Sequence, residues 1–157
     1  MIRTARPDEM KDVYLMGRDA WTGALSVGDY LKSCAASVKY RSGTWYVLED
    51  QKKLLASLIV YRLSGIGDGA YGLGSIAVPS DDRNHGHATR LIRGVLEILD
   101  EEGAVEIYLH SDIAPALYER LGFRALPKAL QASAKSICML RSSVSAFEAL
   151  TSAPDYF

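Results

Sequence analysis

The chain has 157 residues, 48% hydrophobic and 24% charged, a composition that suits one globular domain with a sizeable core. Its 18 basic and 19 acidic residues leave a net charge of −1, which supplies no general attraction to nucleic acid or to an anionic membrane. The longest apolar run, LLASLIVY, is too short to span a bilayer, and the charged start MIRTARPDEMKD does not read as a signal peptide. Two distant cysteines, Cys34 and Cys138, suggest neither a zinc site nor a disulfide framework. The expectation is a cytoplasmic domain covering residues 1–157, with no metal and no nucleic-acid or membrane partner.

In chain order, MIRTA alternates as a short edge strand does, and Pro7 is placed to open a helix carrying Met10, Val13, Tyr14 and Met16. SVGDYLKSCAASVKY reads as one further helix, ended by Gly43. TWYVLED and KLLASLIVYRL are strand-like, with DQKK as the hairpin turn between them. AYGLGSIAVP is a third strand of this run, closed by Pro79. GHATRLIRGVLEILDEE gives the clearest helix, with Ala88, Leu91, Ile92, Val95 and Leu99 on one stripe and Gly103 as its stop. After it come a strand in VEIYLH, a short helix in APALYERLG, and strands in FRAL and KSICMLR. The tail VSAFEALTSAPDYF reads as a final helix within an extension over residues 142–157.

This order predicts an α/β fold: a three-layer mixed sheet of about six to seven strands flanked by helices. Consecutive strands in the first half imply antiparallel pairing. The strand–helix–strand unit around residues 70–110 implies a parallel pair with a right-handed crossover.

Two glycine patterns compete for a phosphate. GIGDGA, from Gly65 to Ala70, has the G-x-G-x-x-A form, but a dinucleotide site needs a helix directly afterwards, and YGLGSIAV is strand material. RNHGHA, from Arg83 to Ala88, has the required context of strand, loop and long helix. A helix start carries unpaired N–H groups and the positive end of the dipole. Gly86 would let a phosphate approach the backbone, Ala88 keeps the next turn narrow, and Arg83 could add charge-assisted hydrogen bonds. A polar loop with a solvated arginine is the plain alternative.

Arg83-Asn84-His85-Gly86-His87-Ala88 resembles the [Q/R]-x-x-G-x-[G/A] motif of the GNAT N-acetyltransferase superfamily. APALYERLGF resembles that family's A-x-x-L-Y-x-x-x-G-F segment, here Ala114, Leu117, Tyr118, Gly122 and Phe123. The resemblance is specific over residues 70–125 and topological elsewhere. It implies acetyl-CoA in a cleft where two parallel strands splay, with backbone groups of Ile76, Ala77 and Val78 along the pantetheine arm. The N–H groups from Asn84 through His85, Gly86, His87 and Ala88 to Thr89 would receive the pyrophosphate. Ser111 and Ala114 complete the implied cofactor contacts. Ser111 stands where relatives often carry Asn, and it or Asp112 is a candidate cap for the following helix.

The resemblance also implies that the Tyr118 hydroxyl faces the CoA sulfur and protonates the departing thiolate. The alternative is a core tyrosine on the Ala114–Leu117–Leu121 stripe. A general base for the amine is less determined, because AYGLGSIAV lacks the acid that many relatives carry there. Tyr71 through water, Asp68 in the preceding loop and His110 at a strand end are the candidates. His85 and His87 form H-x-H without a nearby third ligand, and Asp100, Glu101 and Glu102 crowd a helix C-terminus against the dipole preference.

For the acceptor, Trp21, Asp29 and Tyr30, with Trp45 and Tyr46 nearby, combine aromatic faces with an acid, as a cationic amine would require. Packing of the early helices on the sheet explains the same residues. The expected activity is direct acetyl transfer from acetyl-CoA to a primary amine of a small molecule, in a ternary complex. A protein N-terminus or lysine is the second acceptor, and a non-catalytic acyl-CoA sensor is the competing class. The C-terminal extension either covers the sheet or packs on a second copy in a homodimer.

Overall fold

The computed structural model describes residues 1–21, 23–112, 115–143, 147 and 150–157, with Trp21 described by its backbone alone. It contains strands β1 (Ile2–Thr4), β2 (Thr44–Asp50), β3 (Lys53–Arg62), β4 (Ala70–Ala77), β5 (Glu106–Ser111), β6 (Arg124–Ala125) and β7 (Ile137–Ser142). The helices are α1 (Met10–Met16), α2 (Arg18–Trp21), α3 (Val27–Ala36), α4 (Val38–Ser42), α5 (His87–Glu101) and α6 (Ala116–Glu119). The seven strands lie in the order β1-β2-β3-β4-β5-β7-β6. β1–β2 and β2–β3 are antiparallel, β4–β5 is parallel, and β7 runs antiparallel to both β5 and β6. This is the mixed, helix-flanked sheet that the element order predicts. The β4–β5 ladder runs from Ala70↔Glu106 to Leu73↔Leu109, whereas β4 continues to Ala77.

Side-chain chemistry explains the local departures from the sequence expectations. The hairpin between β2 and β3 turns on two residues, Gln51 and Lys52, at φ 47° and 65°, because Asp50 pairs with Lys53. Two left-handed residues in a row match the twist of the flanking strands, which is why DQKK turns without a glycine. The single helix expected over SVGDYLKSCAASVKY is two. Ser37 takes an extended backbone, and its hydroxyl accepts from the Tyr40 N–H at 3.2 Å, so it ends α3 and caps α4. The short α2 has no periodic signature of its own. α6 starts after Pro115 with no side-chain cap, so neither Ser111 nor Asp112 caps it. Residues 150–157 form no helix. The rest of the expected tail helix falls largely on residues outside those described.

Contacts gather the chain into two compact units, residues 1–60 with 75–96, and residues 61–74 with 97–157. In the first unit Val47, Leu48, Ala56, Leu58, Ile59, Leu91, Ile92 and Val95 are fully enclosed. Three of these belong to the predicted stripe of α5. One arginine also organises the start of this unit. Arg3 donates to both oxygens of Glu9 at 2.9 and 2.6 Å and to Glu49 at 2.7 Å, tying β1 to β2 and to the turn before α1. The Arg6 N–H adds a third bond to Glu9 at 2.8 Å.

These partners hold the Glu9 carboxyl down at about 2, mainly through the Arg3 hydrogen bonds. Its folded value lies below the unfolded one of about 4.3. Its contribution is therefore complete above that value and is lost as pH falls toward 2. Glu9→Ala should cost about 2 kcal/mol at neutral pH. The gap from wild type, measured as the urea midpoint, should narrow at pH 3; a gap independent of pH would show that packing rather than charge is lost.

In the second unit Tyr108, Leu126, Cys138 and Leu140 form an enclosed cluster, flanked by Leu63, Ile66, Leu130, Phe147, Leu150, Ala153 and Phe157. The extension thus covers its own sheet. Phe157 packs edge-on to Tyr61 and His110, at ring separations of 5.8 and 4.8 Å. Gly72 makes room for it: a Cβ there would lie 2.6 Å from the Phe157 ring. The acids at the end of α5 also find partners here. Asp100 takes a two-point bond from Arg141 of β7 at 2.8 and 2.7 Å, and Glu102 lies 3.9 Å from Arg62 of β3. These pairs offset the unfavourable dipole contact.

Candidate functional site

GIGDGA is a turn that leads straight into β4, not into a helix, so it lacks the dipole a pyrophosphate would need. RNHGHA fills the stretch between β4 and α5. Ile76 and Ala77 close β4, Val78 follows, and a single 3-10 turn over Ser80–Asp82 leads to Arg83. Asn84 and Gly86 are left-handed at φ 63° and 79°. Gly86 accepts from the Arg90 N–H at 3.0 Å, which makes it the residue that starts α5. The N–H groups of the first helical turn, His87, Ala88 and Thr89, come before the first intrahelical donor and face outward along the axis. Apart from its chain neighbours, no atom of the described residues lies within 4 Å of where a Gly86 side chain would begin. Loop and helix start together form an open, positively polarised cradle for an anion.

Arg83 does not simply project into solvent. Its Nε donates to the Val78 carbonyl at 3.0 Å, and its two terminal nitrogens meet both Asp19 oxygens at 2.8 and 2.7 Å. The Arg83 guanidinium holds the Asp19 carboxyl below the usual carboxylate range. Asp82 is held by Lys53 at 2.6 Å, and His85 contacts the Asp82 carbonyl at 3.2 Å. His85 and His87 stack on one another at 5.9 Å. Among the described residues, no three His, Cys, Asp or Glu side chains gather closely enough to hold a metal.

The second-unit candidates lie around β5 and α6. Ser111 is buried at the end of β5, and Ala114 lies outside the described residues. Tyr118 in α6 is 7% exposed, with its ring edge-on to Phe123 at 6.4 Å. Burial, helped by the nearby Asp112 charge, pushes its phenol above the ordinary tyrosine value. It therefore stays a neutral O–H donor throughout the physiological range. His110 is half-buried between the Tyr156 and Phe157 rings, at 5.0 and 4.8 Å. Tyr71 is buried with the Arg62 guanidinium 5.4 Å from its ring centre, while Asp68 is exposed in its loop. Cys138 is buried, which pushes its thiol up to about 11 and leaves it inert.

Of the acceptor candidates, Asp29 is exposed on the first turn of α3. Tyr30 is buried and donates to the Tyr14 carbonyl at 2.7 Å, which joins α3 to α1. The Trp21 side chain lies outside the described residues. Trp45 and Tyr46 are buried in β2, and Trp45 Nε1 donates to the Tyr40 carbonyl at 3.2 Å. Sequence reading misses Tyr14 and Tyr40, whose rings stack at 5.9 Å with Trp45 edge-on to both. The Ser75 hydroxyl donates to Tyr40 Oη at 3.4 Å, from a position in β4 that is left-handed at φ 45°. Tyr14 and Tyr40 belong to different helical runs, so only the fold makes them neighbours.

The model of the acetyltransferase (GNAT) family matches residues 10–123. Among curated proteins none matches the sequence. Solved structures of similar fold include a GNAT family acetyltransferase from Brucella melitensis in complex with acetyl-CoA, at 24% identity and TM-score 0.62, covering 88% of this chain and 85% of that one. An aminoglycoside 6'-acetyltransferase type Ii is similar at 19% identity and TM-score 0.67, over 90% of this chain and 96% of the other. A ribosomal-protein-alanine N-acetyltransferase from Brucella melitensis is similar at 16% identity and TM-score 0.67, over 90% and 99%.

Proposed function

Because the chain belongs to the GNAT acetyltransferase family, we propose that it transfers the acetyl group of acetyl-CoA directly to the primary amine of a small molecule. The observation that carries this reading is the open cradle at the start of α5, with left-handed Gly86 and, among the described residues beyond its chain neighbours, open space where its side chain would begin. Acetyl-CoA supplies an activated thioester. The chain's own residues bind it, orient it and manage one proton.

The N–H groups from Asn84 to Thr89 take the pyrophosphate, and backbone groups of Ile76, Ala77 and Val78 take the pantetheine amides as a neighbouring strand would. Tyr118 keeps its proton because burial raises its phenol, so its hydroxyl is ready to donate as thiolate develops. Attack needs the neutral amine, which an alkylamine near ~10.4 seldom offers in water. The half-buried Tyr14 and Tyr40 rings with Trp45 support an amine-binding wall, since aromatic faces attract a cation. The exposed Asp29 carboxylate adds to the acceptor side.

Coenzyme A and acetyl-CoA should stabilise the fold, and NAD should not. Ligand at about 100 times its dissociation constant adds about 2.7 kcal/mol, or roughly 5–10 °C in melting temperature for a chain of this size. A larger shift with NAD would remove the cradle reading. Thiol release from acetyl-CoA against a mixed panel of small amines and N-terminal peptides then tests turnover and acceptor together. Binding without turnover on any amine would favour a sensor, and turnover on peptides alone would replace the small-molecule acceptor.

A further inference from the structure

The Arg83–Asp19 pair is half-exposed at both ends, a setting in which a single ion pair contributes little. Its geometry is less ordinary. The arginine reaches across 64 residues to bond both Asp19 oxygens, while its Nε closes the loop onto the Val78 carbonyl five residues earlier. Arg83 is thereby fixed at three points, and it is the residue from which the chain turns left-handed at Asn84 and again at Gly86. A planar fork held at two points has one orientation, whereas an arginine held by a lone carbonyl can swing.

We propose that Asp19 is a positioning residue for acetyl-CoA: by holding the Arg83 fork it keeps the loop before α5 in the shape that presents its N–H groups to the pyrophosphate. This rests on the reading of residues 83–89 as the pyrophosphate site. Asp19 sits in the short α2, outside the motif, and no spacing in the sequence links it to the loop.

Charge alone predicts the opposite effect, which makes the proposal testable by sign. Asp19 is an acid bonded to the loop that would hold an anion, and exposed charges act over about 10 Å at 0.1 M salt. If it acted only through its charge, Asp19→Asn would tighten coenzyme A binding. As a positioning residue, its loss weakens binding by about threefold to tenfold. The turnover number at saturating acetyl-CoA and the acceptor KM should stay unchanged.

Calorimetric titration of coenzyme A into wild type, D19N, D19E, R83Q and the D19N/R83Q double variant decides the matter, with melting temperatures recorded for each. D19N should weaken binding in the wild-type background and add nothing in the R83Q background, and D19E should recover part of the loss. Unchanged or tighter binding in D19N overturns the proposal, as does an equal loss in both backgrounds. A wild-type chain that does not bind coenzyme A removes the loop reading as well. A wild type that binds beside an unaffected D19N removes this inference alone.

Discussion

Tyr118→Phe should lower turnover by about a hundredfold while acetyl-CoA affinity stays within about twofold. The ring contributes the packing: it is buried in α6 against Phe123, and phenylalanine keeps that contact. Only the hydroxyl is removed, and burial holds it protonated. General acids contribute about 10² to 10⁴ in rate, or roughly 3–5 kcal/mol in the barrier. A thiolate is already a fair leaving group, which places the effect at the lower end. Turnover and binding measured on one preparation separate the roles. A parallel fall in both, or a large loss of stability, would mark Tyr118 as a packing residue; unchanged turnover would hand the proton to water. The raised phenol adds a second signature. The alkaline limb of the wild-type profile should lie above the ordinary tyrosine value of about 10 and be absent from the variant.

The regular elements were legible because their signals are local. Alternation marks β2 and β3, helical spacing marks α5, and the strand–loop–helix context separates RNHGHA from GIGDGA without reference to distant residues. The break between α3 and α4 was less visible, since Ser37 fits a helix interior by composition. Only its hydroxyl bond to the Tyr40 N–H reveals a cap. The acids closing α5 violate the dipole preference until Arg141 and Arg62 arrive from β7 and β3. The same applies to the site. The loop can be read from its own residues, but the partner of Arg83 lies 64 positions earlier, and the Tyr14–Tyr40–Trp45 wall joins two helices and a strand. Spacing reports what the chain does to itself within a few turns. Contacts across the fold leave no such trace.

Gly86→Val should abolish coenzyme A binding at accessible concentrations, a loss of at least about a hundredfold, while most of the fold survives. Two effects act at this position, and they can be separated. The first is backbone strain: φ is 79°, where any side chain is strained and a β-branched one most of all, at about 1–3 kcal/mol. The second is bulk. Beyond its own chain neighbours, no atom of the described residues lies within 4 Å of the new Cβ, so bulk begins in open space rather than against the fold. On the proposed reading this open space is where the pyrophosphate comes within about 3 Å of the N–H groups, so bulk there opposes the ligand. Gly86→Ala brings the strain with a single methyl. Melting temperatures should therefore fall in both variants and only somewhat further with valine, whereas coenzyme A affinity should drop much more steeply from Ala to Val. Affinity that tracks stability across the pair would mean that strain alone disturbs the loop. Unchanged affinity in a folded valine variant would place the phosphate elsewhere and return Gly86 to the role of a simple turn.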